Sequence, residues 1–383
     1  MSDTVEVHGH TDPRFDRVRD ELAAQLAAGE EVGAAIAVDI DGDVVVDIWG
    51  GHRDAAQTLP WERNTIVNVW STTKEITALS VLILVERGLV DLHAPVATYW
   101  PEFAQNGKES IEVRHIMAHT SGVSGWEKPF AVADMYAWDT AIEHLARQAP
   151  WWEPGTASGY HAQDYGHLLG EIVRRVTGKH LKQFVADEIA GPLGADLQIG
   201  ATPADDDRIA EIIPPPPLEI DVASLPTDSP MFKTFTGPAA EASAANTIPW
   251  RRADMGALNG HTNARALVRV MSTISRGGTV DGVNLLSDKT IDQIFDEQAR
   301  GVDLVLGVPL RWGIGFGLPE PATLSYLPDE RICFWGGWGG SMTVMFPLQK
   351  MTVSYVMNKM APGIIGSDRS EAYARAILAA AGG

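Results

Sequence analysis

Ser71 and Lys74 stand three residues apart in "NVWSTTKEITALSVLILVERG", residues 68–88, at the mouth of a long apolar run. Residues i and i+3 of a helix are neighbours, so the hydroxyl and the amine would share a face. A lysine amine held against a serine hydroxyl can take its proton, provided the amine is neutral. Burial and the positive end of the helix dipole both disfavour the ammonium. The same dipole favours the negative oxygen that develops when a serine attacks a carbonyl. The chemistry would be acyl transfer through a covalent serine ester. An ordinary reading stands beside it: a serine ahead of an apolar periodic run caps the helix, and the lysine is solvated. Both residue types are common, so the pair alone does not decide.

Three further stretches follow in order: "HIMAHTSGV" (115–123), "EPGTASGYHAQDYGHLLGEIV" (153–173) and "CFWGGWGGSM" (333–342). With the S-x-x-K of Ser71, they resemble the serine β-lactamase and penicillin-binding-protein superfamily. Within it, the chain looks like the family VIII carboxylesterases and related class C β-lactamase-like hydrolases, along nearly its whole length. The resemblance implies Ser71 as nucleophile, Lys74 as the group that helps deprotonate it, and Tyr160 as proton shuttle. It places the third motif at Trp335, Gly336 and Gly337. It also implies an oxyanion hole made by the backbone N–H groups of Ser71 and Trp338. His161, Trp126 and Trp152 fall beside these motifs and are candidates for the substrate pocket, with core packing the alternative for each.

Two departures from the β-lactamase pattern bear on substrate. The Tyr-x-Asn motif reads Tyr160-His161-Ala162, so the amide that would hold a substrate amide is missing. Trp335 stands where those enzymes carry Lys or His, and an indole suits an apolar acyl or alcohol group better than a charged one. The expectation is a carboxylesterase for short- or medium-chain acyl esters. The alternatives are an acyltransferase, a weak β-lactamase or D-peptidase, and an inactive scaffold of the same fold, against which the intact Ser71, Lys74 and Tyr160 speak.

Other motifs carry less. His115 and His119 have metal-ligand spacing on a helix, but no HExxH and no third ligand accompany them, so no metal and no cofactor are expected. Asp164 would cap the helix that follows Tyr160. No phosphate-binding glycine loop and no G-x-S-x-G elbow is present.

The elements that must position these residues show in the periodicity. A helix starts at Pro13, two β-rich runs flank Asp41-Gly42, and a helix spans 71–87 up to Gly88. Helical spacing dominates to about residue 200, with no strand expected there. Residues 201–249 are irregular and proline-rich, including Pro214 to Pro217, and are expected to be mobile or draped over a surface. A helix capped by Asn263 follows, then strands in "RWGIGFGL", "RICFWGGWGG", "SMTVMFPL" and "MTVSYVMN", then a last helix. The fold expected is α/β: an antiparallel sheet formed from both termini, flanked by helices, with an inserted mostly helical region. The division is residues 1–75 and 250–383 against 76–249.

Composition sets the bounds. The 383 residues are 45% hydrophobic and 21% charged, enough for an ample core. The formal net charge of −20 repels nucleic acid and anionic membrane surfaces, so neither is an expected partner; the resemblance implies a small-molecule ester. The single cysteine, Cys333, excludes an internal disulfide. The first residues show no basic stretch leading into an apolar run, so a cytoplasmic location is expected.

Overall fold

The computed structural model describes residues 6–216 and 224–382. Pro217, the end of the proline run, lies outside the described residues. The chain opens with β1 (Val7–Thr11), β2 (Gly33–Ile40) and β3 (Asp43–Gly51). Then come β4 (Val67–Asn68), β5 (Leu197–Ile199) and β6 (Gly260–Thr262), which form a small sheet in the order β4-β6-β5. A short ribbon, β7 (Thr279–Val280) and β8 (Val283–Asn284), precedes β9 (Ala299–Val302), β10 (Pro309–Trp312) and β11 (Gly317–Leu318). The last strands are β12 (Cys333–Gly336), β13 (Met342–Phe346) and β14 (Met351–Met357).

Nine strands make the main sheet, all antiparallel, in the order β1-β3-β2-β14-β13-β12-β11-β10-β9. Its centre joins the two ends of the chain: β2 pairs with β14, from Ala34 opposite Met357 to Ile40 opposite Met351. Asp41 and Gly42, both at positive φ, turn β2 into β3, as a two-residue hairpin loop requires. β1 was not expected. Its sequence, VHGHT, is polar and largely exposed, and an edge strand of that kind carries no alternating apolar signal.

β14 is buried along its whole length because helices cover both faces. Successive side chains point to opposite sides. Thr352 meets Ser275 of the helix Ala264–Ser275 at 2.7 Å, while the Tyr355 ring packs 4.9 Å from Tyr373 of the C-terminal helix, Asp368–Ala381. Asn263 caps the first of these helices, accepting from the Ala266 N–H. The N-terminal helix, Asp16–Ala27, lies beside the C-terminal one and follows a tight turn that begins at Pro13.

The central helix, Thr73–Glu86, is buried on every side from Thr73 to Leu84, the signature of a helix inside a core. Gly88, at φ +68°, ends it. It packs against β12 and the helix Tyr165–Thr177. The region between residues 88 and 200 is helices and loops with one strand, β5, whose three residues are too few for a period to show. Residues 201–249 are less irregular than expected: they include the helix Pro230–Thr236 and two tight helical turns. No helix among the described residues is long and apolar enough to cross a membrane.

One buried ion pair locks the termini together. Arg369 donates to Glu31 at 2.6 Å, and the Tyr355 and Tyr373 hydroxyls donate to the same carboxylate. Burial pushes the Glu31 carboxyl up to about 7 against the pull of Arg369. Arg369→Met should therefore destabilise the fold by about 3–5 kcal/mol, by removing the partner of a buried carboxyl. The lone carboxyl would stay protonated in the folded chain at pH values where the unfolded chain has lost that proton. The penalty should then grow with pH above the ordinary carboxylate range. Urea unfolding at several pH values measures both; an unshifted midpoint would show the pair to be dispensable.

Candidate active site

The junction between β4 and the central helix presents Ser71. Trp70, just before it, sits at φ +49°, a backbone region that bulky residues avoid unless the surroundings impose it. The surroundings do: its ring packs edge-on against Trp250 at 5.3 Å and Trp338 at 5.1 Å. Ser71 does not cap the helix. Its hydroxyl lies 3.0 Å from Lys74 Nζ.

Lys74 is fully buried, and its Nζ has two more oxygen neighbours, the carbonyls of Ala162 at 2.8 Å and Ala257 at 3.0 Å. Carbonyls can only accept, and a neutral amine has two N–H bonds and one lone pair. The two carbonyls use the two N–H bonds, and the lone pair is left facing the Ser71 hydroxyl. Burial holds Lys74 well below the usual lysine range, with Asp164 pulling the other way. Asp164 is itself buried without a hydrogen-bond partner for either carboxyl oxygen, and burial pushes it well up. It heads the helix Tyr165–Thr177 but makes no side-chain cap, contrary to the sequence expectation. Burial thus disfavours the charged form of both groups.

Tyr160 closes the group. Its hydroxyl accepts the Trp335 indole N–H at 2.8 Å and has the Ser71 hydroxyl as its other polar neighbour. Burial raises it far above an ordinary tyrosine, so it remains a phenol. With Trp335 occupying the oxygen as donor, the phenol's own proton is free to point toward Ser71.

The turn after β12 approaches Ser71 from the sheet side. A Cβ at Gly337 would lie 2.3 Å from the Val69 carbonyl oxygen, so only glycine permits the approach. Ser341 fastens the turn by donating to the Val69 carbonyl at 3.0 Å and meeting the Thr72 hydroxyl at 3.1 Å. Among the described residues, the backbone N–H groups of Ser71 and Trp338 make no hydrogen bond within the fold. Two unused donors beside a serine suit a developing oxyanion.

Ser71 opens into a cavity of about 260 Å³. Trp70, Trp250, Trp338, Met231, Phe235, Val305 and Leu306 are among the residues that line it. Its polar lining comes from Ser71, Tyr160 and Gln163, and no charged side chain lines it among the described residues.

Several residues expected at the substrate lie elsewhere. Trp335 and Gly336 border a separate, much smaller apolar slot, and Gly337 is on neither wall. The Trp335 indole props Tyr160 instead. Trp126 stacks on Phe130 at 4.6 Å and donates to the Ala141 carbonyl, a core position. Trp152 lies under Gly159, its indole N–H bonded to the Ala157 carbonyl. His161 is buried between the Gly159 carbonyl at 2.8 Å and the Ser121 hydroxyl at 2.6 Å, and burial holds it neutral, down to about 3. His115 and His119 serve different bonds: His115 Nδ1 accepts the Glu112 N–H, and His119 Nδ1 accepts the His161 N–H. The sequence reading missed the walls from Met231, Phe235, Trp250, Val305 and Leu306. Met231 and Phe235 lie four apart on a short helix, the one local signal available.

The beta-lactamase family profile matches residues 18–379. The esterase/beta-lactamase LipL of Mycobacterium tuberculosis is 36% identical over 375 residues, which is 95% of this chain and 86% of that protein. Among solved structures, a family VIII carboxylesterase shares 38% identity with a TM-score of 0.91, over 98% of this chain and 100% of that one. A penicillin-binding protein homologue from Caulobacter crescentus shares 36% identity with a TM-score of 0.90, over the same shares of each chain.

A neutral Lys74 has a measurable consequence. The rate of fluorophosphonate labelling at Ser71 should rise with pH through the depressed pKa of Lys74 and level off above it, because only the unprotonated amine accepts the serine proton. Lys74→Arg should label at a small fraction of that rate, since arginine stays protonated. Labelling that is flat with pH, or undiminished in Lys74→Arg, would show that proton transfer is not what Lys74 supplies.

Proposed function

The chain belongs to the beta-lactamase family and is a serine ester hydrolase, and we propose that Ser71 is its nucleophile, Lys74 its base and Tyr160 its proton donor. The observation that supports this reading is the buried Lys74 Nζ, held 3.0 Å from the Ser71 hydroxyl with no carboxylate bonded to it among the described residues. Ser71 Oγ attacks the ester carbonyl while its proton passes to Lys74. The carbonyl oxygen takes the negative charge facing the N–H groups of Ser71 and Trp338. As the C–O bond breaks, Tyr160 gives its proton to the leaving alcohol and regains one from the Lys74 ammonium. Water then attacks the acyl-enzyme, with its proton carried back along the same groups, and Ser71 is released with the acid.

The uncharged wall supports neutral esters with an apolar acyl or alcohol group as substrates. A penicillin carries a carboxylate, and the wall offers it no cation. It would forgo charge-assisted hydrogen bonds of ~1.5–3 kcal/mol each. LipL's name includes β-lactamase, so β-lactam hydrolysis is the second reading to test. An alcohol in place of water would make the same site an acyltransferase. A cytoplasmic location suits a chain whose one cysteine, Cys333, is a buried thiol.

Two measurements test the proposal. Ser71→Ala should abolish hydrolysis of p-nitrophenyl butyrate while leaving the circular dichroism spectrum and Tm unchanged; near wild-type turnover by the folded variant would sink it. The kcat/KM for that ester should exceed the value for nitrocefin by roughly tenfold to more than a hundredfold for each charge-assisted contact the wall lacks. Equal values would favour the β-lactamase reading. Repeating the assay with added methanol shows whether acyl transfer competes with hydrolysis.

A further inference from the structure

Tyr160 belongs to a segment whose backbone is gripped at three consecutive residues. The Gly159 N–H donates to the His119 carbonyl at 2.9 Å, and the His161 N–H to His119 Nδ1 at 3.1 Å. Between them, the Tyr160 N–H donates to Asp303 Oδ1 at 3.0 Å. Asp303 is fully buried, and no ion pair reaches it among the described residues. Taking a carboxylate out of water without a counter-ion is costly unless backbone donors replace the lost hydration. At one of its two oxygens they do: the same Oδ1 also accepts the N–H groups of Val305 and Leu306, each at 2.9 Å, while Oδ2 is buried without a hydrogen-bond partner among the described residues.

Val305 and Leu306 are wall residues of the Ser71 cavity. Their loop is closed on itself by the Gly307 N–H, which donates to the Asp303 carbonyl at 2.8 Å. It is also fastened a second time to the tyrosine segment, where the Leu304 N–H donates to the Ser158 carbonyl at 2.8 Å. One carboxylate oxygen therefore joins the backbone of Tyr160 to the surface that a substrate's apolar group would press against.

We propose that Asp303 is a positioning residue that couples the Val305–Leu306 wall to Tyr160, so that how a substrate fills the cavity is felt in the proton-transfer step and not in binding alone. The proposal rests on the reading of Tyr160 as proton donor. Binding at the wall contributes to kcat only if it is converted into placement of a reacting group, and Asp303 supplies the connection. A plain structural role would stabilise the loop and leave the dependence of kcat on acyl length untouched.

The test uses ethyl acetate, ethyl butyrate and ethyl hexanoate, whose alkoxide leaving group must be protonated, with the full chain, following acid release, separating kcat from KM, and thermal unfolding of each variant. Asp303→Ala should lower kcat for the butyrate about tenfold to a hundredfold, the range expected when a reacting group is displaced by up to about 1 Å. It should also flatten the dependence of kcat on acyl length. Asp303→Asn should rescue most of both effects, because its amide oxygen still accepts N–H bonds. In a Tyr160→Phe background, Asp303→Ala should cost no further kcat. If Asp303→Ala does not fold, Asp303→Ser, with a single short acceptor, should show the same pattern at smaller amplitude. A folded Asp303→Ala or Asp303→Ser enzyme with wild-type kcat at every acyl length would overturn the coupling, as would an equal loss with and without the Tyr160 hydroxyl. Wild-type kcat in Tyr160→Phe alone would overturn the proton-donor reading and the coupling with it, and so separates the two failures.

Discussion

A lysine amine sealed from water is the constraint around which this molecule is arranged. Lys74 has no carboxylate bonded to it, only the carbonyls of Ala162 and Ala257 and the hydroxyl of Ser71. Desolvation makes the ammonium unfavourable, and two fixed carbonyls give the neutral amine its two acceptors. Holding them there requires three distant segments to converge. The central helix brings Lys74, the segment ahead of the helix Tyr165–Thr177 brings Ala162, and the chain before β6 brings Ala257. A Cβ at Gly166 would lie 2.5 Å from the Ala257 N, so the last two touch backbone to backbone. Thr77, one turn beyond Lys74, donates to the Gly256 carbonyl at 2.6 Å and fixes the same contact from the helix.

The sheet supplies the other half of the site. β12 ends in a turn that glycine allows to touch the Ser71 junction, and Ser341 fastens it there. The Trp335 indole at the end of β12 donates to the Tyr160 hydroxyl, and the Trp338 N–H is the one proposed to face a developing oxyanion. The cavity beyond is lined by apolar side chains from loops and short helices. On the proposed reading, rigid elements carry the groups that exchange protons and connecting segments carry the cavity wall, a division common where a scaffold hosts variable specificity.

Much of the fold was legible because it is written in local patterns. Asp41-Gly42 between two apolar runs specified the central hairpin, the apolar run after Lys74 specified a buried helix, and Asn263 specified a helix start. Elements without a pattern were missed. β1 is polar and β5 has three residues, and each is a strand only because a neighbouring strand offers its backbone partners. The stretch 201–249 looked featureless because its short helix is too brief to show a full period, yet that helix walls the cavity.

For the site, the sequence by itself picked out the proposed reacting set. Ser71 and Lys74 share a helix face through spacing alone, and the order of the later motifs pointed to Tyr160 and to the turn at Trp338. It did not determine what each surrounding side chain touches. Trp335 was expected on the substrate wall and instead props Tyr160 from 175 residues away. Asp164 was expected to cap a helix and instead lies buried without a hydrogen-bond partner for its carboxyl. Asp303, 143 residues from Tyr160, carried no local signal at all. Periodicity and motif spacing report interactions within a few turns or strands of the chain. A buried hydrogen bond between remote segments depends on how whole elements pack, and only the tertiary structure decides that.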